Sequence, residues 1–263
     1  MSLVNKSALV TGAIGGIGAG ICEVFLKNGL KNLAALDLNP EEPKIISEWR
    51  QKFPKAVIIY FSADVSSHDQ LEKCYKEFTD TIESLDIVVN CAGIFNESLY
   101  RKTVEVNVCG VIGSTLISVE RMRKDKGGSR GRGGVIVNIA SEAGVNIFSF
   151  LPSYCASKHA VVAFTRSLAH GRDSKMGIRF FTICPGPTDT QMVDFGLVKQ
   201  NNLYEIDDAS FKNLTEMALS TKQGVDKVSN AIMSLIDNEG QNSSVWIINN
   251  GEMTEHVGVP AAF

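Results

Sequence analysis

The stretch Ser7-Ala8-Leu9-Val10-Thr11-Gly12-Ala13-Ile14-Gly15-Gly16-Ile17-Gly18 decides the fold. A short run of strand character enters a glycine-rich turn, and an amphipathic helical pattern follows to Lys27, with Gly29 as its stop. Strand, tight turn and helix in that order can cradle a phosphate. Glycines such as Gly12, Gly16 and Gly18 let the backbone approach a pyrophosphate, and the unsatisfied N–H groups and dipole of the helix start stabilise its charge. A glycine-rich helix start with no ligand has the same local sequence, so the motif takes its weight from its surroundings.

Those surroundings alternate. Strand-like runs at 7–10, 32–36, 56–61, 86–90, 135–139, 179–183 and 245–248 are separated by longer helical patterns. This reads as an α/β chain, a doubly wound parallel sheet of about seven strands with helices on both faces, which binds ligands beyond the carboxyl ends of its strands. With 263 residues, 44% of them hydrophobic, and no internal repeat or linker, residues 1–263 read as a single domain.

Composition excludes several classes. A net charge of −3 favours neither nucleic acid nor an anionic membrane as partner. The stretch KDKGGSRGRGG at 124–134 has an Arg-Gly character found in RNA-contacting segments, but a solvated connecting loop explains it better. Six cysteines without CxxC spacing read as reduced core thiols, and four histidines form no metal-ligand pattern. The first residues carry no signal-peptide apolar region, and no 18-residue apolar run occurs; no membrane span and a cytoplasmic location are the expectations.

The chemistry-bearing residues fall at the predicted strand ends. Asp37 closes the second strand, nineteen residues past Gly18, where a carboxylate can accept hydrogen bonds from an adenosine ribose. It would repel the 2′-phosphate of NADP, and no cation at Ala13, Ile14, Gly15 or Leu38 compensates, so the cofactor reads as NAD. A loop or capping role for Asp37 is the alternative. Asp64-Val65 and Asn90-Cys91-Ala92-Gly93 follow the third and fourth strands and offer a polar edge and a close-packed turn beside the adenine, or simple turn chemistry. Asn107, polar among Val104, Val106, Val108 and Val111, binds either backbone or an ordered water near Lys158.

Ser141 follows the apolar run 135–140, and Tyr154 opens a helical pattern through Ala160, Phe164 and Leu168. Tyr154 and Lys158, four apart, share a helix face, so the ammonium is expected to lower the phenol's pKa toward neutrality and make it an acid/base group, with Ser141 holding the reacting oxygen. A Tyr-x3-Lys pair also arises by chance, and its setting distinguishes the two cases.

Taken together, TGxxxGxG at 11–18, Asp37, the Asn90–Gly93 turn, Asn107, Ser141, Tyr154-x3-Lys158 and Pro185-Gly186 resemble the short-chain dehydrogenase/reductase superfamily over nearly the whole chain. Residues 154–159 with 164–167 look most like NAD-dependent 15-hydroxyprostaglandin dehydrogenases and insect-type alcohol dehydrogenases. The resemblance implies a Rossmann-like sheet and an oxidoreductase in which Tyr154 is the acid/base and Ser141 orients the substrate oxygen. It further implies that Lys158 also binds the nicotinamide ribose, Asn107 anchors a relay water, and Pro185, Gly186 and Thr190 position the nicotinamide, with Ile17, Ala92, Gly93 and Thr188 also among the cofactor-binding residues. It implies a homodimer or homotetramer paired through the helices at 99–124 and 154–175. Cys91 and Thr188 depart from the superfamily's usual Asn and branched aliphatic residue.

The least framework-like regions are expected to set the substrate. Ile147 and Phe148 after Ser141, with Met192 and Phe195 in a lid at 191–222, would line a pocket for a lipophilic alcohol, while 251–263 reads as a C-terminal tail. The same apolar residues could instead pack the lid on the body. A nucleotide-binding regulatory protein that kept the fold and lost catalysis is the reading from another functional class, and intact Ser141, Tyr154 and Lys158 oppose it.

Overall fold

A computed structural model describes residues 2–126, 131–170, 173–193, 199–200, 207–237, 242 and 244–256. The strands are β1 (Ser7–Thr11), β2 (Asn32–Asp37), β3 (Val57–Ser62), β4 (Ile87–Asn90), β5 (Gly134–Ile139), β6 (Ile178–Pro185), β7 (Ser244–Asn249) and β8 (Glu252–Glu255). Between them run α1 (Gly16–Lys27), α2 (Lys44–Lys52), α3 (His68–Thr81), α4 (Tyr100–Val104), α5 (Val111–Met122), α6 (Pro152–Ala169), α7 (Asp173–Met176), α8 (Asp208–Ser220) and α9 (Val225–Asp237).

The strands form one sheet in the order β3-β2-β1-β4-β5-β6-β7-β8. All neighbours are parallel except β7 and β8. Side chains alternate across it, as the two-residue period of a strand requires. Ala8, Val10, Leu33, Ala35, Ile87, Val89, Val135, Val137, Phe181 and Ile183 pack with α1, α2 and α9. Leu9, Ala34, Leu36, Val88, Ile136 and Phe180 pack with α3, α5 and α6. Burial on both faces explains why these strands read as continuous apolar runs.

Among the described residues the sheet has eight strands where about seven are expected, and the proposed tail begins inside it. Asn250 and Gly251, at φ 49° and 82°, form a two-residue turn that pairs Asn249 with Glu252. Positive φ at both central residues matches the right-handed twist of the flanking strands, so Asn-Gly here is a local hairpin signal that the sequence reading passed over. Residues 257–263 lie outside the described residues.

The helical stretch Tyr100–Met122 is long and apolar enough by composition to cross a membrane, yet more than half of it is buried against the body. Its buried face is polar where it meets the sheet. Tyr75 Oη lies 2.7 Å from Ser114 Oγ and 2.8 Å from Ser118 Oγ. Ser114 Oγ donates to Asn90 Oδ1. Asn90 Nδ2 donates to Thr115 Oγ1 (3.0 Å) and Asn138 Oδ1 (2.8 Å), and Asn138 Nδ2 donates to Thr165 Oγ1 (2.9 Å). One buried network thus ties α3, β4, α5, β5 and α6 together behind the strand ends. Tyr75→Phe leaves two buried hydroxyls with a lost partner and is expected to cost about 1–3 kcal/mol, read as a lower urea midpoint at unchanged slope.

Candidate active site

The floor of the site is built where the strand order reverses, between β1 and β4. Thr11 Oγ1 accepts from the N–H groups of Cys91 and Ala92, both at 3.2 Å, joining the two strand ends. Gly12 sits at φ 65°, and a Cβ there would lie 2.8 Å from the Ala92 backbone; one at Gly18 would lie 2.0 Å from Gly12 O. A side chain at either position would force the turn apart. Gly16 packs under Thr190, whose Cγ2 would lie 2.5 Å from an added Cβ.

Helix α1 opens at Gly15 with no side-chain cap and no acidic residue in its first turn. A Cβ on Gly15 would meet nothing nearer than Gly12 O at 3.4 Å. Its first N–H groups therefore stand uncapped at an open mouth, which suits a pyrophosphate. Ile17 turns its side chain to the core, leaving its backbone at this mouth.

Asp37 stands at the end of β2 with Oδ2 accepting from Ile14 N–H at 3.1 Å and Oδ1 from Leu38 N–H at 2.8 Å. One carboxylate thus braces the glycine turn from the neighbouring strand. Asp64 forms an ion pair with Lys102 (Oδ2 to Nζ, 2.8 Å) and accepts from Ser66. Burial pushes its pKa upward, but the bonds from Lys102 and Ser66 outweigh burial and hold it below the ordinary carboxylate value. Val65 packs on Gly110. The side chain of Asn90 is spent on the network behind β4, so what Asn90 presents to the site is backbone. These residues together fit an adenine dinucleotide.

Asn107 lies in a π-helical segment, Glu105–Gly110, set between α4 and α5. Such local widenings cluster at functional sites. Its Oδ1 accepts from Ile94 N–H (2.8 Å), and its Nδ2 donates to Ile94 O (2.9 Å) and Ser157 Oγ (3.1 Å). Of the two expected uses, the backbone one is observed, and these contacts commit the side chain within the protein. A Cβ on Gly93 would lie 3.3 Å from Asn107 Oδ1 and 3.4 Å from Lys158 Nζ, so only glycine leaves this corner open.

Ser141, just beyond β5, and Tyr154, in the first turn of α6, are brought close enough for the serine to act on the phenol. Lys158, 4% exposed, donates to Ile139 O at 3.1 Å, and its Nζ lies 5.6 Å from the Tyr154 ring centroid. The expected electrostatics need correction. Burial pushes the Tyr154 phenol up to about 12, with the Ser141 hydrogen bond the influence that lowers it. Burial also pulls Lys158 down to about 8. Lys158 is not among the influences on the phenol, so the lowering expected from its ammonium is not found in the protein alone. The protein alone therefore holds a protonated tyrosine beside a lysine poised near neutrality.

That lysine has a consequence for stability. Its ordinary value is 10.5, and between about 8 and 10.5 the unfolded chain binds a proton that the folded protein does not, so stability rises with pH across this window. Below it the buried charge is a standing cost. Relative to the parent, Lys158→Met is expected to be most stable at pH 7 and to lose that advantage by pH 10, as measured by thermal unfolding at both values.

The loop after β6 is held by a residue that sequence reasoning missed. Gln223 donates through Nε2 to Ile248 O (2.7 Å) and accepts from Gly251 N–H (3.1 Å), while its backbone pairs with Pro187 and Asp189. Thr188, expected to position a nicotinamide, is buried and donates to Gly186 O at 2.9 Å. Pro185 ends β6, and Gly186 lies so close to Asn249 that an added Cβ would fall 1.8 Å from Asn249 Oδ1. Asp189 and Lys222 form an ion pair at 2.6 Å, closing the neck of the 191–222 segment.

On the substrate side, Phe148 packs with Phe95, Leu151, Cys155 and Tyr154. Ile147 does not line this wall: it is 85% exposed, because the turn after Ser141 faces it to solvent. Met192 is 42% exposed, and Phe195 lies outside the described residues, as does part of the proposed lid. Arg179 caps α9 through Leu235 O and Ile236 O and stacks over Phe181, away from this wall. Among the described residues no group of three His, Cys, Asp or Glu could hold a metal.

Residues 6–200 match the protein family described as short chain dehydrogenase. The chain is 32% identical over 250 residues to a mouse (Mus musculus) protein named 15-hydroxyprostaglandin dehydrogenase (NAD(+)), covering 94% of this chain and 91% of that one. It is 30% identical over 256 residues to alcohol dehydrogenase 1 of Ceratitis cosyra, covering 97% and 96%. Its structure is similar to that of levodione reductase, with a TM-score of 0.79, 25% identity, and coverage of 94% and 97%.

Proposed function

The chain belongs to the short chain dehydrogenase family, and from that premise we propose that it interconverts a lipophilic secondary alcohol and its carbonyl, using NAD. The observation that carries this reading is the meeting of Ser141, Tyr154 and Lys158 beside the open corner at Gly93, under a wall of Phe95, Phe148 and Leu151. NAD is supported by the carboxylate of Asp37 at the end of β2 and by the cofactor in the name of the mouse relative.

Gly12, Gly16, Gly18 and the start of α1 would hold the pyrophosphate, Asp37 the adenosine ribose, and the Asp64–Lys102 pair the adenine edge. Lys158, with Pro185, Gly186 and Thr190, would hold the nicotinamide half. Bound there, NAD supplies a hydride acceptor. Ser141 orients the substrate oxygen, and Tyr154 Oη takes the hydroxyl proton in oxidation or returns it in reduction. Lys158, whose Nζ lies 5.6 Å from the Tyr154 ring centroid, is the cation placed to steady the phenolate form.

The apolar wall and the two relatives favour a hydroxy-lipid or terpenol-like alcohol over a sugar. Pairing of two copies through α4, α5 and α6 is part of this reading, and exposed Leu99, Tyr100, Val104 and Leu116 along the first two support it. The test is NADH fluorescence during turnover of secondary alcohols, terpenols, hydroxy fatty acids and steroids, with NAD and NADP compared. Cofactor binding without turnover of any of them would replace this reading with the regulatory one.

A further inference from the structure

We infer that Glu97 is a positioning residue for Tyr154, an inference that rests on the acid/base role proposed above. Glu97 is 1% exposed, one of very few charged side chains in the interior. Its carboxylate does not serve its own surroundings. Ser153 N–H donates to Oε2 at 2.9 Å and Tyr154 N–H donates to Oε1 at 2.8 Å, across 56 and 57 residues of chain.

These are donors that a helix start leaves unsatisfied. Helix α6 has no side-chain cap at Leu151 and no acidic residue in its first turn, so Glu97 supplies from a distance what its own sequence lacks. A negative charge also suits the helix dipole at this end, and charged acceptors make stronger bonds than neutral ones.

The segment carrying Glu97 is itself held. Asn107 bonds both the N–H and the carbonyl of Ile94, Thr103 Oγ1 donates to Asn96 O at 2.8 Å, and Leu99 N–H donates to Asn96 Oδ1 at 3.0 Å. From this fixed strap Phe95 meets the Tyr154 ring edge-on, centroids 5.1 Å apart at 89°. The strap thus grips Tyr154 twice, at the ring through Phe95 and at the backbone through Glu97. Ser141 belongs to a different element, so the distance from phenol to serine depends on where α6 begins, and Glu97 sets that point.

Glu97→Gln tests this with little change of shape. The amide keeps one acceptor and turns an NH₂ donor toward one of the two N–H donors. Glu97→Asp keeps both acceptors with a shorter reach. With 3-fluorotyrosine at the five tyrosines and Tyr154→Phe assigning one resonance, the Tyr154 signal is expected to shift in Glu97→Gln while the other four hold. On any alcohol the parent oxidises, kcat is expected to fall about tenfold with cofactor KM within about twofold, and Glu97→Asp to recover part of the loss. An unmoved Tyr154 resonance overturns the inference, as does a loss carried by cofactor KM and melting temperature rather than kcat. If the parent oxidises nothing, the proposed function fails, and the resonance alone decides the position of Tyr154.

Discussion

Replacing Tyr154 with phenylalanine is expected to lower turnover by about a thousandfold, the scale of losing a positioned acid/base group. The substitution is mild in every other respect. Phenylalanine keeps the edge-on contact with Phe95 and the packing against Phe148 and Cys155, and removes only the hydroxyl. Because the ring remains and the glycine turn, Asp37 and Lys158 are untouched, NADH affinity should stay within about threefold and stability within about 1.5 kcal/mol. Fluorescence titration and single-turnover rates on the same preparation separate the two effects. Retained turnover would remove Tyr154 from the chemistry.

The second large effect is expected at Asp37. Its carboxylate bonds Ile14 N–H in the glycine turn and Leu38 N–H, and stands where the ribose hydroxyls would be received. Asp37→Ser removes the charge and shortens the reach, so NAD affinity should fall about 10- to 100-fold, the range expected for hydrogen bonds to a charged group. NADP is expected to be affected in the opposite direction, because the repulsion of its 2′-phosphate goes with the carboxylate. The measurement is the ratio of NADH to NADPH dissociation constants. If both weaken equally, Asp37 acts only by bracing the turn, and the choice of NAD lies elsewhere.

Both residues were visible without coordinates for a local reason. Asp37 ends an apolar strand at a fixed interval from the glycine turn, and Tyr154 and Lys158 are one helical turn apart, so strand and helix periods place them. The strands themselves were found within one or two residues, because burial on both faces writes them as short apolar runs. The eighth strand was equally local, carried by Asn250-Gly251, and was passed over because Glu252-Met253-Thr254-Glu255 is too polar to resemble the others.

What could not be read was non-local. The partners of Glu97 lie 56 and 57 residues away, Gln223 meets residues from two separate segments, and Asn138 looks in sequence like an accident within a strand. Ile147 has the same apolar character as Phe148, yet one faces solvent and the other the tyrosine. The electrostatics were reversed for a related reason. Four-residue spacing brings an amine near a phenol, but the cost of charging either depends on how much water the finished fold excludes.

By itself, the sequence determined the fold class, the order of its elements and the placing of Ser141 and Asp37 at strand ends and of Tyr154 and Lys158 on one helix, because periodicity and turn chemistry act over a few residues. Tertiary structure alone decided how those groups are held and charged: the carboxylate that starts α6, the glutamine that anchors the loop after β6, and the burial that raises one pKa and lowers the other. Those are properties of contacts between distant segments and of excluded water, and they exist only once the chain has closed on itself.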